Sequence, residues 1–520
     1  MMKSAIQYHH HTSYDPKKMS GHGLDWVNQP NVYKEYPGIE PIQLSLETLT
    51  TPSPSPPSQR KEGFEEKGIL PRKLSSILKD VVLPREAFNR LEIEDLSLLL
   101  RLTNTLTAKS SHPGGDFYYR SAASAGALYP TEIYVATHDV KDLNNGLYHF
   151  SIHRHALSPL RAGDFSNYTI KNVEHLGDKV PAIMIFLTAI FFRSAWKYRD
   201  RSYRYHLLDT GHVMENLTLA FKAFHIPFQL SYDFDDETIN HLLGLDETKE
   251  ATLAVACIPV GDDIHQPTEQ KPDKLPETFQ RASITANKEV DYSAVREMHQ
   301  AGASVLAQEG VVPDMSKEIG LAADSWEKIS PSLIWPETME YPDAVFRRRS
   351  QRRFAKRSMS KDSLLALMDA LCIKNFQDSD MAETYEQSIC IGFIVNKVDD
   401  FFPGLYLLNR LDQAMGLVSP DTSTDQMAQI CLGQLWLAEA AVHFLFMTNL
   451  DLLDRTWRPR GYRYAMMTAG RLGERLYIAS TSMGLGCCGI GAFYDKDAAK
   501  TIGLNDTSRL LYLVAIGTLK

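Results

Sequence analysis

A lysine–tyrosine pair at positions 197 and 198 is the part of the sequence best suited to moving a proton. The two side chains have reference pKa values of about 10.4 and 10, and a neighbouring pair in a desolvated pocket can relay a proton. A surface lysine beside a packing aromatic ring would look the same in the sequence. The pair therefore predicts acid–base chemistry only if other parts of a site converge on it.

An arginine-rich segment, Arg347–Phe354, reads RRRSQRRF and places five arginines around one serine. Guanidinium groups bind phosphate through paired hydrogen bonds, and a serine hydroxyl adds a short one. The alternative is a solvated basic face on an acidic protein. The segment is a candidate phosphate site that needs support from elsewhere in the chain.

Two stretches of small residues could let the backbone approach a flat ligand. Ser121–Pro130 reads SAASAGALYP and precedes a strand-like segment, Glu132–Thr137. Gly484–Phe493 reads GLGCCGIGAF, which predicts a loop that exposes backbone N–H groups. Either stretch alone could be a tight connection, and the second lacks the Lys-Ser/Thr of a P-loop.

An internal repeat relates these segments to one another. Gly146-Leu147-Tyr148 recurs as Gly404-Leu405-Tyr406, 258 positions later, and Tyr203-Arg204-Tyr205 recurs as Tyr462-Arg463-Tyr464, 259 positions later. The same register aligns Gly211 with Gly470, Glu215 with Glu474 and Leu217 with Leu476. Because one register holds throughout, we predict two copies of one α+β domain.

The domain organisation follows from this repeat. We predict an N-terminal extension with a Pro/Ser linker over residues 1–65 and a first domain over 66–265. A linker with a helix is expected over 266–340, and a second domain over 341–520. The aromatic-rich first fifty residues are expected to wrap over a domain surface.

The copies have lost complementary pieces. Opposite the small-residue loop, the second copy has Ala382–Ser388, which is bulkier and contains no glycine. Opposite the arginine-rich segment, the first copy has Lys79–Pro84, which offers nothing comparable. Opposite the glycine-rich stretch, the first copy has Phe228–Asp233. Opposite the lysine–tyrosine pair, the second copy has Thr456-Trp457.

Composition narrows the class of protein. A net charge of −9 argues against a nucleic-acid partner, since phosphate backbones attract basic surfaces. The most apolar segment, Ala182–Phe192, falls well short of the roughly 20 residues that span a bilayer. Six scattered or vicinal cysteines suggest a reducing compartment, and His9–His11 lack converging partners for a metal. We predict a cytoplasmic protein with no membrane, nucleic-acid or metal partner.

Together these motifs resemble the FMN-dependent nitroreductase superfamily, and within it the SagB/ThcOx-type azoline dehydrogenases. The resemblance covers roughly Leu70–Gly261 and Tyr341–Lys520 and rests on four motifs. It implies two tandem nitroreductase-like domains that form an intramolecular pseudo-dimer with FMN at the interface. Since one of the two combined sites keeps every motif, one FMN per chain is expected.

The resemblance also implies residue roles. From the second copy, the residues that would hold the phosphate and the flavin edge are Arg348, Arg349, Ser350, Arg352, Cys488, Gly489, Ile490 and Gly491. From the first copy, the residues whose backbone would lie against the flavin are Ser121, Ala123, Ser124, Ala125, Gly126, Leu128 and Pro130. Lys197 or Tyr198 would remove a proton, with Tyr129 near the substrate.

The implied activity is hydride transfer to flavin N5 from a thiazoline or oxazoline ring in a modified peptide or small molecule. Association with a cyclodehydratase complex is implied as well. Two alternatives stay open: an NAD(P)H-dependent nitro- or quinone reductase, and a flavin-binding or peptide-scaffolding protein without turnover. A monomeric pseudo-dimer and a homodimer of it both fit the sequence.

Overall fold

The computed structural model describes residues 2–19, 21, 23–46, 72–79, 91–112, 115–174, 176, 180–259, 271–303, 314–330, 334–373 and 382–520. The predicted Pro/Ser linker and residues 80–84 lie outside these ranges. The helix predicted within the linker is Ser293–Ala301. No helix within the described ranges is both long and apolar enough to cross a bilayer.

The strands, in chain order, are β1 (Ile42–Gln43), β2 (Leu91–Glu92), β3 (Leu106–His112), β4 (Gly115–Arg120), β5 (Thr131–Thr137), β6 (Val140–Lys141), β7 (Gly146–Ser151), β8 (Ala156–Ala162), β9 (Pro181–Ile190), β10 (Gln229–Ser231), β11 (Glu250–Pro259), β12 (Glu327–Lys328), β13 (Cys390–Val395), β14 (Gly404–Asn409), β15 (Ala414–Ser419), β16 (Val442–Asn449), β17 (Gly486–Ile490) and β18 (Ser508–Gly517).

The α-helices, in chain order, are α1 (Ala5–His11), α2 (Leu74–Lys79), α3 (Ile93–Thr103), α4 (Ser166–Ile170), α5 (Phe191–Tyr198), α6 (Ser202–Ala223), α7 (Asp236–Leu243), α8 (Glu277–Gln280), α9 (Ser293–Ala301), α10 (Met315–Glu318), α11 (Tyr341–Arg347), α12 (Lys361–Cys372), α13 (Ala382–Glu386), α14 (Thr424–Ile430), α15 (Leu450–Trp457), α16 (Gly461–Ser482) and α17 (Asp495–Ile502).

Two seven-stranded antiparallel sheets share one topology. Their strand orders are β1-β8-β7-β5-β9-β11-β10 and β12-β15-β14-β13-β16-β18-β17. Replacing each strand by its repeat counterpart converts the first order into the second. The prediction of two copies of one α+β domain is therefore confirmed.

The two central helices, α6 and α16, hold the copies together. Each is 22 residues long and is buried on nearly all sides. A Cβ added at Gly211 would overlap the backbone oxygen of Met467, and one added at Gly470 would overlap that of Leu208. The paired glycines thus let the helices cross at backbone contact, and the crossing is pseudo-symmetric.

Reciprocal ion pairs reinforce this crossing. Asp495, at the start of α17, forms ion pairs with Arg201 and Arg204 of the first copy at 2.8 and 2.6 Å. Its counterpart Asp236 forms ion pairs with the two equivalent arginines of the second copy at 2.7 and 2.6 Å. Removing one partner from a buried pair leaves an uncompensated charge, so these contacts specify how the copies dock.

The N-terminal helix α1 belongs to this interface. Tyr8 and His9 are fully buried, and the His9 imidazole lies 3.2 Å from the carboxylate of Asp495. The amide of Ala5 donates to Asp454 of the second copy at 2.7 Å. The expectation that the first residues wrap a surface is therefore wrong for α1, because its apolar face is covered by both copies.

Candidate functional site

The loop Ser121–Pro130 has an unusual backbone. Gly126, Ala127 and Tyr129 all have positive φ, at 65°, 53° and 46°. A non-glycine residue in this region costs roughly 1–2 kcal/mol, so the surrounding structure must hold the conformation. The Ser124 hydroxyl contributes by accepting from the Tyr129 amide at 2.9 Å and donating to Asp209 at 2.6 Å.

Two buried carboxyl groups, one on each central helix, hold this loop. Asp209 on α6 accepts from the Ala125 amide at 3.1 Å, and Glu474 on α16 accepts from the Ala123 amide at 3.3 Å. Burial raises the pKa of both carboxyl groups to about 7. The loop is thus held by hydrogen bonds to both copies.

Lys197 and Tyr198 end helix α5 and lie directly over the loop. A Cβ added at Gly126 would sit 2.8 Å from the Tyr198 hydroxyl and 3.0 Å from Lys197 Nζ. Burial, with a smaller effect of the nearby Arg352, lowers the pKa of Lys197, whereas burial raises the pKa of Tyr198. A lowered lysine pKa enlarges the neutral fraction that can accept a proton.

Arg352, from the second copy, is an exposed side chain close to this pair. Its charge acts on Lys197 and also opposes the burial that raises the pKa of the Cys488 thiol. Since Lys197 is in the first copy and Cys488 in the second, Arg352 lies where both halves of the site meet. The structure therefore brings the proton-relay pair and part of the arginine-rich segment together.

Arg348 joins the two copies from a buried position. Its Nε donates to the Ser121 carbonyl, and its Nη2 donates to the Arg120 carbonyl at 3.0 Å. Its Nη1 is buried and has no hydrogen-bond partner among the described residues. Arg349 is directed elsewhere, with its guanidinium donating to the Thr107 carbonyl at 2.8 Å.

The glycine-rich stretch is the edge strand β17, so its prediction as a loop is wrong. β17 pairs with β18, and a Cβ at Gly489 would overlap the Tyr512 hydroxyl of that strand. The small residues are required by this bulky neighbour. The Gly489 amide donates to Tyr477 at 2.6 Å, and the Tyr477 hydroxyl lies 2.9 Å from Ser350 Oγ.

Three loop residues lie at the border of the site. The Tyr129 hydroxyl accepts from the Arg120 amide at 3.1 Å, which turns it toward the loop's own backbone. Leu128 packs with Phe192 and Trp196. The Pro130 carbonyl accepts from the Ile190 amide at 2.9 Å, which ties the end of the loop to the first sheet.

Sequence reasoning missed the polar face of α6. His212 contacts the Ala123 carbonyl at 2.9 Å through Nδ1 and the Tyr512 hydroxyl at 3.1 Å through Nε2. Asp209, His212 and Asn216 recur at helical spacing on a helix that is buried along its whole length. Buried polar groups need partners, so this spacing was the available signal.

The residue set fits FMN. An oxygen of an anionic or carbonyl group would satisfy the partnerless Nη1 of Arg348, at the junction of the two copies. Ser350 and Arg352 are exposed beside it. Gly126 is exposed, and its missing side chain lets Lys197 and Tyr198 lie against the loop backbone.

Comparisons with known proteins agree with this description. The sequence model of the Nitroreductase family matches residues 73–262 and 406–518. A solved structure from Anabaena variabilis, provisionally called a nitroreductase, matches with a TM-score of 0.76 and 25% identity over 100% of both chains.

Two curated relatives match part of the chain. The trifolitoxin-processing protein TfxB of Rhizobium leguminosarum bv. trifolii is 24% identical over 33% of this chain and 48% of its own length. The microcin B17-processing protein McbC of Escherichia coli is 26% identical over 32% of this chain and 61% of its own length. The match thus spans less than two thirds of either relative.

Proposed function

The chain belongs to the nitroreductase family, and we propose that it is an FMN-dependent dehydrogenase that oxidises thiazoline or oxazoline rings in a modified peptide. The observation that carries this proposal is the contact of Lys197 and Tyr198 with Gly126, because it sets a proton-relay pair over the small-residue loop. The names of TfxB and McbC, both peptide-processing proteins, support the same substrate class.

Both copies contribute to cofactor binding in this proposal. Arg348, Ser350 and Arg352 hold the FMN phosphate, and the backbone of the loop Ser121–Pro130 lies against the ring system together with β17. Bound FMN would supply the acceptor for a hydride, as flavins do. The protein supplies position, a dry environment and the proton acceptor.

The proton acceptor is assigned to Lys197. Converting an azoline to an azole removes two hydrogens, one as a hydride and one as a proton. The Lys197 amine takes the proton, and its lowered pKa enlarges the fraction in the neutral form that this requires. The Tyr198 hydroxyl, whose pKa is raised by burial, stays protonated and can orient the substrate by donating a hydrogen bond.

The proposal includes one FMN per chain, since one combined site keeps all the motifs. It also includes a cyclodehydratase as the partner that forms the azoline ring. Flavin released from denatured protein, divided by protein concentration, measures the first point. A ratio near one is expected, and a ratio near two would contradict it.

An anaerobic single-turnover experiment tests the activity. A thiazoline-containing peptide should bleach the flavin absorbance and lose two hydrogens by mass spectrometry, while NADPH should bleach it slowly. Fast bleaching by NADPH with nitroaromatic turnover would instead establish the nitro- or quinone-reductase reading. Bound flavin that neither reagent reduces would establish a scaffold.

A further inference from the structure

An exposed apolar surface, here called the aromatic shelf, is formed by Trp26 and the adjacent Val27, and Trp26 packs on Trp196. The side chains of Trp26 and Val27 are 65% and 90% exposed. The rings of Trp26 and Trp196 meet edge to face at 5.3 Å, and Trp196 Nε1 donates to the Asp25 carbonyl at 2.8 Å. The shelf is therefore a fixed surface with exposed aromatic area.

The aromatic shelf is continuous with the candidate site. Leu128, Phe192 and Trp196 form one buried apolar cluster, and Tyr198 packs against it. Leu128 belongs to the small-residue loop, and Trp196 directly precedes Lys197. The exposed ring of Trp26 is therefore connected to the proton-relay pair through this cluster.

The repeat shows that the fold does not require an apolar surface here. Helices α5 and α15 have the same length and position in their copies. At the counterparts of Leu128, Phe192 and Trp196, the second copy has Glu386, Asp451 and Arg455. Asp451 and Arg455 form an exposed ion pair at 2.6 Å. The apolar set occurs only in the copy with the lysine–tyrosine pair.

The segment that carries Trp26 is anchored by other contacts. Arg193 Nε donates to the Asn31 carbonyl at 3.0 Å, and the Asn31 amide donates to the Thr285 carbonyl at 2.8 Å. These contacts hold the backbone without help from the outer face of Trp26. An exposed aromatic ring that is not needed as an anchor is typical of a binding surface.

We propose that the aromatic shelf binds an apolar side chain of the peptide substrate, next to the ring that is oxidised. The substrate class rests on the proposed function, whereas the shelf itself rests on exposure and position. A rigid aromatic surface binds an apolar side chain with little ordering cost, because Trp26 is already packed on one face.

The test compares two azoline peptides that differ only in the residue beside the ring, phenylalanine or glycine. Wild-type protein should show a lower KM for the phenylalanine peptide. Trp26→Ala should raise that KM by about tenfold and remove most of the preference, with a smaller change in kcat. Trp326→Ala, which truncates another exposed tryptophan in the linker, is the matched control and should keep the preference.

An equal KM for both peptides in the wild type, or a preference that survives Trp26→Ala, would overturn the proposal. Binding of the same two peptides without the azoline ring, followed by fluorescence anisotropy, separates the shelf from the chemistry. If binding of the ring-free peptides depends on Trp26 but the azoline peptides are not oxidised, the shelf is supported and the proposed function is contradicted. If the azoline peptides are oxidised but binding of the ring-free peptides does not depend on Trp26, the proposed function is supported and the shelf is contradicted.

Discussion

The candidate site and its pseudo-symmetric counterpart differ most in two aromatic positions. In the counterpart, Tyr385 stacks on Tyr232 at 4.3 Å and contacts Tyr464 at 4.8 Å, all of them buried. In the candidate site, the residues aligned with Tyr385 and Tyr232 are Ala127 and Gly491. Two aromatic rings are thus absent on the side where a ligand is expected.

Polar groups follow the same division. In the counterpart, Asp233 accepts from the hydroxyls of Tyr385 and Tyr464 and lies 3.1 Å from Arg460. In the candidate site, Arg348 keeps a buried Nη1 without a partner among the described residues. The counterpart packs aromatic rings around a paired carboxylate, whereas the candidate site keeps a buried guanidinium nitrogen with unused hydrogen-bonding capacity. The comparison teaches that one fold can fill one symmetric position with packed rings and leave the other without them.

The largest expected effect comes from removing the proton acceptor. Lys197→Ala should lower kcat for azoline oxidation by about 10²–10⁴-fold, the usual worth of a general base. FMN content should stay at the wild-type level by absorbance. Thr456→Ala, at the counterpart position, is the control and should leave kcat unchanged. A Lys197→Ala protein with full activity would refute the assignment.

Opening the packed counterpart should affect stability and leave flavin binding alone. Tyr385→Ala should lower the free energy of unfolding by about 3–5 kcal/mol, the cost of truncating a buried aromatic side chain. Denaturant unfolding measures this loss. The flavin-to-chain ratio should remain near one, and a second bound flavin would show that packing alone blocks the counterpart site.

A pH effect should distinguish Asp209 from its counterpart Thr468, whose hydroxyl donates to the Tyr385 carbonyl at 3.2 Å. Because burial raises the pKa of Asp209 to about 7, the folded state holds its proton more tightly than the unfolded chain. This proton binding contributes to the free energy of unfolding, and the contribution is fully present below a pH of about 4. It is lost as the pH rises to about 7, and it amounts to roughly 4 kcal/mol at most.

The Asp209→Asn variant removes this titration. Relative to Asp209→Asn, the wild type should therefore be more stable at pH 5 than at pH 8, as measured by denaturant unfolding at each pH. Thr468→Val should show no such pH dependence relative to the wild type. An identical pH profile for wild type and Asp209→Asn would contradict the raised pKa.

The smallest expected effect concerns β17. Gly489→Ala forces a methyl group against the Tyr512 hydroxyl, and such overpacking costs about 1–3 kcal/mol. If the strain displaces β17 from the flavin, the Kd for FMN should rise by about 10–100-fold. Gly21→Ala, where an added Cβ meets no atom within 4 Å, is the control. Equal FMN affinity in both variants would show that β17 does not contribute to FMN binding.

The sequence alone determined the repeat and the α+β class, and it predicted the segments of the candidate site. Each of these depends on local patterns: helical periodicity, strand-like alternation and a register that holds between Gly146 and Gly404. The same register exposed which motifs each copy lacks. The domain boundaries and the FMN ratio stay predictions.

Only the tertiary structure decided how the segments are used. β17 is a strand because it pairs with β18, and Arg348 is partly occupied because its Nε donates to the Ser121 carbonyl. The roles of Asp209 and Glu474 depend on helices from different copies meeting at one loop. Such contacts join residues far apart in the chain, so the helical spacing of polar residues on α6 could reveal a polar face but not the partners that packing brings to it.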